Sequence, residues 1–204
     1  MRKASNSKQR AHIRQSLQPA CKRVSETLIP FAKATSLYPG HNCLALAELG
    51  RLLLHDLGIR ARMTAGFASW RVGPGIHDVI GHVEGTPGVL PAGVKGLRYH
   101  TWLEEQGFII DFTTFQLRQK AEVLDAADGG HTMVSWHPDF LLLPLKKVRS
   151  AGAVNDATRP GMVYYESRPE LASIVLKDFE LDPKVITFAR NLLKSHANAE
   201  SFPP

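Results

Sequence analysis

Residues 42–62 read NCLALAELGRLLLHDLGIRAR and contain the strongest helix signal in the chain. The pattern predicts a helix from Asn42 to Leu57, because leucine and alanine recur nearly all round the turn of an α-helix. Asn42 suits the N-cap position, and Gly58 can adopt the left-handed conformation that ends many helices. We therefore expect a buried helix that carries Cys43 in its first turn.

Cys43 lies where the start of a helix favours a thiolate. It follows the turn signal Tyr38-Pro39-Gly40, and the unpaired N–H groups and the dipole of the helix act on this position. The same N–H groups can bind a developing oxyanion. A lone cysteine is more often a small buried apolar residue, so the interpretation of Cys43 as a nucleophile depends on partners elsewhere in the chain.

After this helix the apolar pattern changes to the period of strands. Residues 60–72 predict a strand with a bulge at Gly66. Residues 73–97 are rich in glycine and proline and predict a long loop, and loops of this length in a compact domain usually serve function.

Residues 98–104 and 108–113 predict the two strands of a hairpin. A turn at the first two of the three linking residues places His100 opposite Asp111, whereas a turn at the last two places them on a diagonal. Both registers put the two side chains on one face of the hairpin. A three-residue loop would put them on opposite faces.

The hairpin therefore supplies the two partners that a cysteine nucleophile requires. Asp111 lies in an apolar run, where a carboxylate is costly to bury unless it is paired, and His100 is an available partner. His100 and Asp111 alone would be read as a structural pair. Together with Cys43 they match a triad of nucleophile, base and orienting acid, which is our leading hypothesis.

Three motifs add a family resemblance: Gly40-His41-Asn42-Cys43, Leu57-Gly58-Ile59-Arg60-Ala61-Arg62 and Tyr99-His100-Thr101-Trp102-Leu103-Glu104. In their order and spacing they resemble the transglutaminase-like core of the papain-like cysteine peptidase superfamily. The resemblance covers about residues 38–116, with Gly66 and Asp111 also matching. The interval from His100 to Asp111 is shorter than in the family, and the flanking helices differ from known transglutaminases, which suggests a bacterial branch.

The resemblance implies an α+β fold in which the nucleophile helix packs on an antiparallel sheet. It also implies a cofactor-free reaction through a thioester on an amide-like bond of a peptide or small molecule. Hydrolysis ranks above transfer to an amine. A second oxyanion donor is expected from Tyr38 or Asn42, and either could equally serve packing or capping. His41 is expected at the rim of the site, and Trp102 is either a substrate contact or a core residue.

The remaining chain completes a predicted single domain of 204 residues. Residues 1–8 are expected to be disordered, and residues 9–35 predict a helix that is kinked at Pro19 or divided into two. Further predictions are strands within 134–145 and 162–165, a linker at 150–160, and C-terminal helices at 169–179 and 183–197.

Possible metal ligands and the cysteine count are weaker signals, and neither predicts a metal site or a disulfide-rich protein. Four residues of the long loop have metal-ligating side chains, but their spacing favours a solvated loop over a metal site: His77, Asp78, His82 and Glu84. We expect no metal. Two cysteines are too few for a disulfide framework, although a single bridge between them is an alternative. We therefore expect the protein in a reducing cytoplasm.

The formal net charge of +6 is partly local, because seven basic residues precede the first acid, Glu26. Such a segment fits a nucleic-acid arm, an organellar targeting segment or a solvated helix face, and we favour the last, because no nucleic-acid-binding motif accompanies the charge. No apolar run predicts a membrane span or a secretory signal. The alternatives to an enzyme are a non-catalytic binding domain of the same fold and a basic nucleic-acid-associated protein.

Overall fold

The computed structural model describes residues 2–35, 42–83 and 98–199. Its helices are α1 Arg2–Ala34, α2 Cys43–Asp56, α3 Leu117–Asp128, α4 Ala151–Asn155, α5 Pro169–Val175 and α6 Pro183–Ala199. Its strands are β1 Arg62–Arg71, β2 Val79–His82, β3 His100–Glu105, β4 Phe108–Asp111, β5 Leu141–Pro144 and β6 Val163–Ser167. The described strands form one antiparallel sheet in the order β2-β1-β3-β4-β5, and β6 also pairs with β1. This confirms the predicted α+β class.

Strand β1 is the centre of the sheet. Its first half pairs with β3, and its second half pairs with β2 and β6. The predicted bulge at Gly66 is wrong, because Gly66 lies in regular register opposite both His100 and Ser167. Glycine is needed here for another reason: a Cβ atom at this position would collide with the backbone carbonyl of Glu166.

Helix α2 matches the predicted helix and ends as its sequence indicates. The N–H of Gly58 donates to the carbonyl of His55, and the N–H of Ile59 donates to that of Leu54, which is a Schellman motif with Gly58 in the left-handed region at φ +83°. The helix is not buried all round, since His55 and Asp56 are exposed. Its buried face includes Gly50, and a Cβ there would come within 2.5 Å of the Phe112 ring.

Helix α1 is one continuous helix that contains Pro19 and Pro30, so the alternative of two shorter helices is wrong. Interior proline costs about 3 kcal/mol, and burial of the apolar face of α1 offsets that cost; this face consists of Leu17, Cys21, Val24, Leu28, Phe31 and Ala32. The helix begins at Arg2, inside the segment 1–8 for which we predicted disorder. Extension of an existing helix adds one hydrogen bond per residue fixed, which favours such growth from the packed part.

Two apolar clusters cover the sheet. Alternate residues of the hairpin divide between them, so that Leu103 and Ile110 join the cluster with α1, α2 and α6, while Trp102 and Ile109 join the cluster with Trp70 and α3. This is the alternation expected of a strand with both faces buried. No described helix has the length and apolar character that crossing a membrane requires.

Several elements differ from their predictions. The predicted loop 73–97 contains strand β2, whose four residues pair with β1, and residues 84–97 of it lie outside the described residues. The predicted linker 150–160 contains the short helix α4, with Ser150 as its side-chain cap. Helix α3 has no counterpart among the predicted elements. The two C-terminal helices occur where predicted, although α5 ends at Val175.

Candidate active site

The β3–β4 hairpin adopts the second of the two predicted registers. Gln106 and Gly107 form the turn with φ values of +46° and +78°, the positive pair that tight hairpins favour. Leu103 pairs with Ile110, so His100 and Asp111 lie on a diagonal on the same face. The hairpin thereby brings the predicted base and the predicted acid together.

Asp111 accepts four hydrogen bonds. Oδ2 accepts from Nε2 of His100 at 2.8 Å and from the hydroxyl of Tyr165 at 2.6 Å. Oδ1 accepts from the backbone N–H and the hydroxyl of Thr113, at 2.8 and 2.7 Å. Burial raises the pKa of Asp111, but the charge and hydrogen bond of His100, with the bonds from Tyr165 and Thr113, bring this pKa below its ordinary value of 3.8. Asp111 is therefore a buried, fully bonded carboxylate.

The His100 ring is fixed by aromatic neighbours as well as by Asp111. Trp102 stacks on it with a centroid distance of 6.2 Å, and His82 stacks on it at 5.6 Å. The Trp70 ring stands perpendicular to it at 4.8 Å, and Nε1 of Trp70 donates to the Tyr165 hydroxyl at 2.8 Å. Each contact restricts rotation of the imidazole, so the ring is held in one orientation.

Trp102 is placed by the structure in the core rather than at a substrate surface. Its side chain is buried, packs against His100, and donates from Nε1 to Glu104 at 3.2 Å. It is not among the described residues that line the cleft beside Cys43. The core alternative therefore describes Trp102, whose ring packs on the imidazole of His100.

Cys43 is the first residue of α2 and adjoins His100. Burial raises the pKa of the Cys43 thiol, but the hydrogen bond and charge of His100, followed by hydrogen bonds from Thr101, bring the pKa below its ordinary value of 9.0. Burial lowers the pKa of His100, yet Asp111 and then Cys43 raise it to about 9. Since Asp111 occupies Nε2, the nitrogen available to Cys43 is Nδ1, a buried atom with no hydrogen-bond partner among the described residues. The arrangement favours a thiolate–imidazolium pair.

A small cleft opens beside the thiol, and its lining residues are Asn42, Cys43, Trp70, His82, His100, Thr113, Gln116, Leu117 and Lys120. Asn42 and Gln116 are only 4% and 6% exposed. Neither the oxygen nor the nitrogen of the Asn42 amide has a hydrogen-bond partner within the described residues, and the same holds for Oε1 of Gln116. Buried polar groups are normally bonded, so these groups are free to meet a ligand.

The other predicted residues divide between described and undescribed parts of the chain. Asn42 occupies the N-cap position of α2 but makes no side-chain capping bond. Tyr38 and His41, the remaining candidates for the oxyanion site and the rim, lie outside the described residues.

Four residues of the predicted loop have metal-ligating side chains, and the interpretation of these four as solvated is wrong for two of them. Asp78 is buried and accepts from the N–H groups of Gly75 and Met133, because its carboxylate ties two loops together. His82 lines the cleft on β2, while His77 is exposed and Glu84 lies outside the described residues. Within residues 2–35, 42–83 and 98–199, no three His, Cys, Asp or Glu side chains are grouped to hold a metal ion.

Lys120 is a site residue that sequence reasoning missed. Its Nζ contacts Nε2 of His82 and lies 5.5 Å from the centroid of the Trp70 ring. Burial lowers the pKa of Lys120 to about 7, against the opposing attraction of Cys43 and Asp111. The i, i+4 spacing of Gln116 and Lys120 at the start of α3 is a sequence signal that could have indicated a shared face. Tyr165 had no comparable signal.

No protein-family model and no curated protein sequence matches the chain. A solved crystal structure described only as a genomics target is similar, with a TM-score of 0.59 and 18% sequence identity. The similarity covers 87% of this chain and 78% of that one. At this level of identity the match shows a shared fold alone.

Proposed function

We propose that this chain is a cysteine-dependent hydrolase or acyltransferase that acts on an amide-like bond, with a papain-like, transglutaminase-like fold. The observation that carries the proposal is the set of three side chains in sequence order: Cys43 at the start of a helix, His100 beside it, and Asp111 bonded to the far nitrogen of His100 at 2.8 Å. The packing of α2 on the antiparallel strand β3 supports the fold assignment.

The chemistry would proceed through a thioester. His100 takes the proton of Cys43, and the thiolate forms a bond from sulfur to the carbonyl carbon of the substrate. The carbon–nitrogen bond then breaks, and the leaving amine takes the proton from His100. Water, with His100 as the base, attacks the thioester, which releases the acid and restores the thiol. An amine in place of water would give transfer, and water is the default acceptor.

Asn42 is the better supported second oxyanion donor. Asn42 lines the cleft beside Cys43, and its buried amide nitrogen has no hydrogen-bond acceptor within the described residues. A donor held in place before the reaction stabilises the charge that develops on the carbonyl oxygen. The free N–H groups at the start of α2 would provide the rest of the oxyanion site.

The pH dependence of Cys43 alkylation by iodoacetamide tests this proposal. We expect alkylation well below pH 9.0, the ordinary pKa, because the pKa of Cys43 is lowered. Cys21 is an internal control, since burial raises its pKa to about 12. Peptide mass spectrometry separates the two thiols. His100→Ala should slow alkylation at pH 7 by at least about tenfold, because loss of the charged partner raises the thiol pKa and lowers the thiolate fraction.

His55→Ala is a matched control, because His55 is an exposed histidine at the other end of α2. It should leave the profile unchanged. If Cys43 titrates as an ordinary thiol in the wild-type protein, or is inert, the triad does not work and the binding-domain alternative moves to first place. With an active thiol, the rate of substrate hydrolysis should be bell-shaped in pH, with its upper limb near 9, where His100 loses its proton.

A further inference from the structure

One cationic side chain in the cleft has no ion-pair partner within the described residues. Lys120 is half-buried and lines the cleft, and its Nζ contacts the His82 ring. Within the described residues no carboxylate lies at ion-pair distance from it. An ammonium group has three N–H donors, so donors remain for a group that enters the cleft.

The nearby acid does not fill this role. Both oxygens of Asp111 are already bonded, by His100 and Tyr165 on one side and by Thr113 on the other. Asp111 and Cys43 attract the ammonium through space only, and this attraction is smaller than the desolvation that opposes the charge. Buried charges in proteins are normally paired, and the described residues supply no anion that pairs with Lys120.

The complementary group is a carboxylate. A carboxylate accepts several charge-assisted hydrogen bonds, and Lys120 offers donors in the same cleft that holds the Cys43 thiol. We propose that Lys120 binds a carboxylate carried by the substrate next to the scissile amide, so that the site prefers acidic acyl donors. This inference rests on the proposed function of Cys43.

Four titratable groups surround Lys120, and they decide how the preference depends on pH. His82 contacts it from β2, Cys43 and Asp111 act on it from α2 and β4, and His100 stacks on His82. The free protein carries the Lys120 charge below about pH 7 and loses it above. The preference for a carboxylate should therefore be largest on the acidic side and should fall as pH rises.

Two alkylating reagents that differ only in the group of interest test the inference. Iodoacetate carries a carboxylate where iodoacetamide carries an amide. We would measure the ratio of their rates at Cys43 and divide it by the same ratio for N-acetylcysteine. We expect a normalised ratio of about ten at pH 6.5, falling toward one as pH rises above 8. Lys120→Gln should abolish the preference, and Lys120→Arg should retain it.

Arg118→Gln is the matched control, because it removes one positive charge from an exposed position on the same helix. It should leave the normalised ratio unchanged, and thermal melting establishes that each variant is folded. A ratio near one in the wild-type protein, or an unchanged ratio in Lys120→Gln, overturns the inference. The second result would mean that Lys120 only stabilises the thiolate, because both reagents would then slow equally.

The failure of the inference differs from the failure of the proposed function. If iodoacetamide shows an activated Cys43 but iodoacetate has no advantage, only the role of Lys120 falls. If iodoacetate does have the advantage, blocked dipeptides assign the source of the carboxylate through their protection of Cys43 against iodoacetamide. Stronger protection by N-acetyl-alanyl-alanine indicates a chain terminus, and stronger protection by the α-amide of N-acetyl-alanyl-aspartate indicates an acidic side chain. Protection no better than that of N-acetyl-alanyl-alanine amide by either peptide contradicts the carboxylate preference.

Discussion

The two cysteines of this chain are both free and both buried, yet their environments give them opposite chemistry. Cys21 is 0% exposed in the apolar face of α1, and burial raises its pKa to about 12. Cys43 is 5% exposed, and burial would raise its pKa, but His100 and Thr101 together outweigh burial and lower this pKa. The comparison indicates that burial alone raises the pKa of a thiol, and that a charged hydrogen-bond partner can reverse the direction of the shift.

Asp111→Asn should reduce the difference in reactivity between Cys43 and Cys21 more than any other substitution considered below. Without the carboxylate, burial would lower the pKa of His100, and Cys43 would lose its charged partner and approach the behaviour of Cys21. We expect alkylation of Cys43 by iodoacetamide at pH 7 to slow by at least about tenfold, since a higher thiol pKa lowers the thiolate fraction. Alkylation that is quenched at timed intervals and followed by peptide mass spectrometry measures the rate.

Asp78→Asn is the control for that substitution. Asp78 is another buried carboxylate that accepts two backbone N–H groups, but it is not among the residues of the cleft. The variant should lose stability by about 1–3 kcal/mol and keep the alkylation rate of Cys43. Equal loss of rate in both variants would show that a general loss of structure, and not the charge at position 111, is responsible.

Tyr165→Phe should have an intermediate effect. It removes one of the four hydrogen bonds to Asp111 and leaves Nε1 of Trp70 without its acceptor. We expect the free energy of unfolding to fall by about 1–3 kcal/mol and alkylation of Cys43 to slow by less than about tenfold, because three donors to Asp111 remain. Chemical denaturation and the same alkylation assay provide both values.

Its neighbour Tyr164 offers a matched comparison on the same strand. The Tyr164 hydroxyl bonds Glu166 away from the cleft. Tyr164→Phe should change neither the rate at Cys43 nor stability by more than about 0.5 kcal/mol. A slower Cys43 in this variant would contradict the assignment of the effect to the Asp111 network.

The smallest expected effect is that of Cys21→Ala on the site. The substitution removes one sulfur atom from a packed apolar cluster, which should cost about 1–2 kcal/mol of stability. The pH profile of Cys43 alkylation should be unchanged, since Cys21 has no part in the electrostatics of Cys43. A shifted profile would show that the two thiols are coupled, and the contrast between them would then need another cause.

The predicted core of the site came from local patterns that the structure retains. The N-terminal position of Cys43 follows from a helix with clear end signals, and the proximity of His100 to Asp111 follows from a two-residue turn. Such features involve residues that are close in sequence, so the local pattern suffices to place them. The broad α+β class was predictable for the same reason.

The rest of the site depends on contacts between distant segments. Strand β2 is only four residues long and lies in a region rich in glycine and proline, so its pairing with β1 decides its structure. Tyr165 reaches Asp111 across 54 positions, and no local pattern marks it as a partner. Lys120 was overlooked because a lysine on a helix is normally solvated, and only the packing of α3 near Trp70 reveals its position.

Strand β1 has a consequence for the order in which the protein folds. Its three partners carry His100, His82 and Tyr165, and the bond between Trp70 and Tyr165 joins residues 95 positions apart. Closing such long loops is slow compared with forming a local hairpin. The pair of His100 and Asp111 can thus form early, whereas the full network around it waits for β6. During refolding, the hydrogen bond from Tyr165 to Asp111 would therefore be among the last contacts of the site to form.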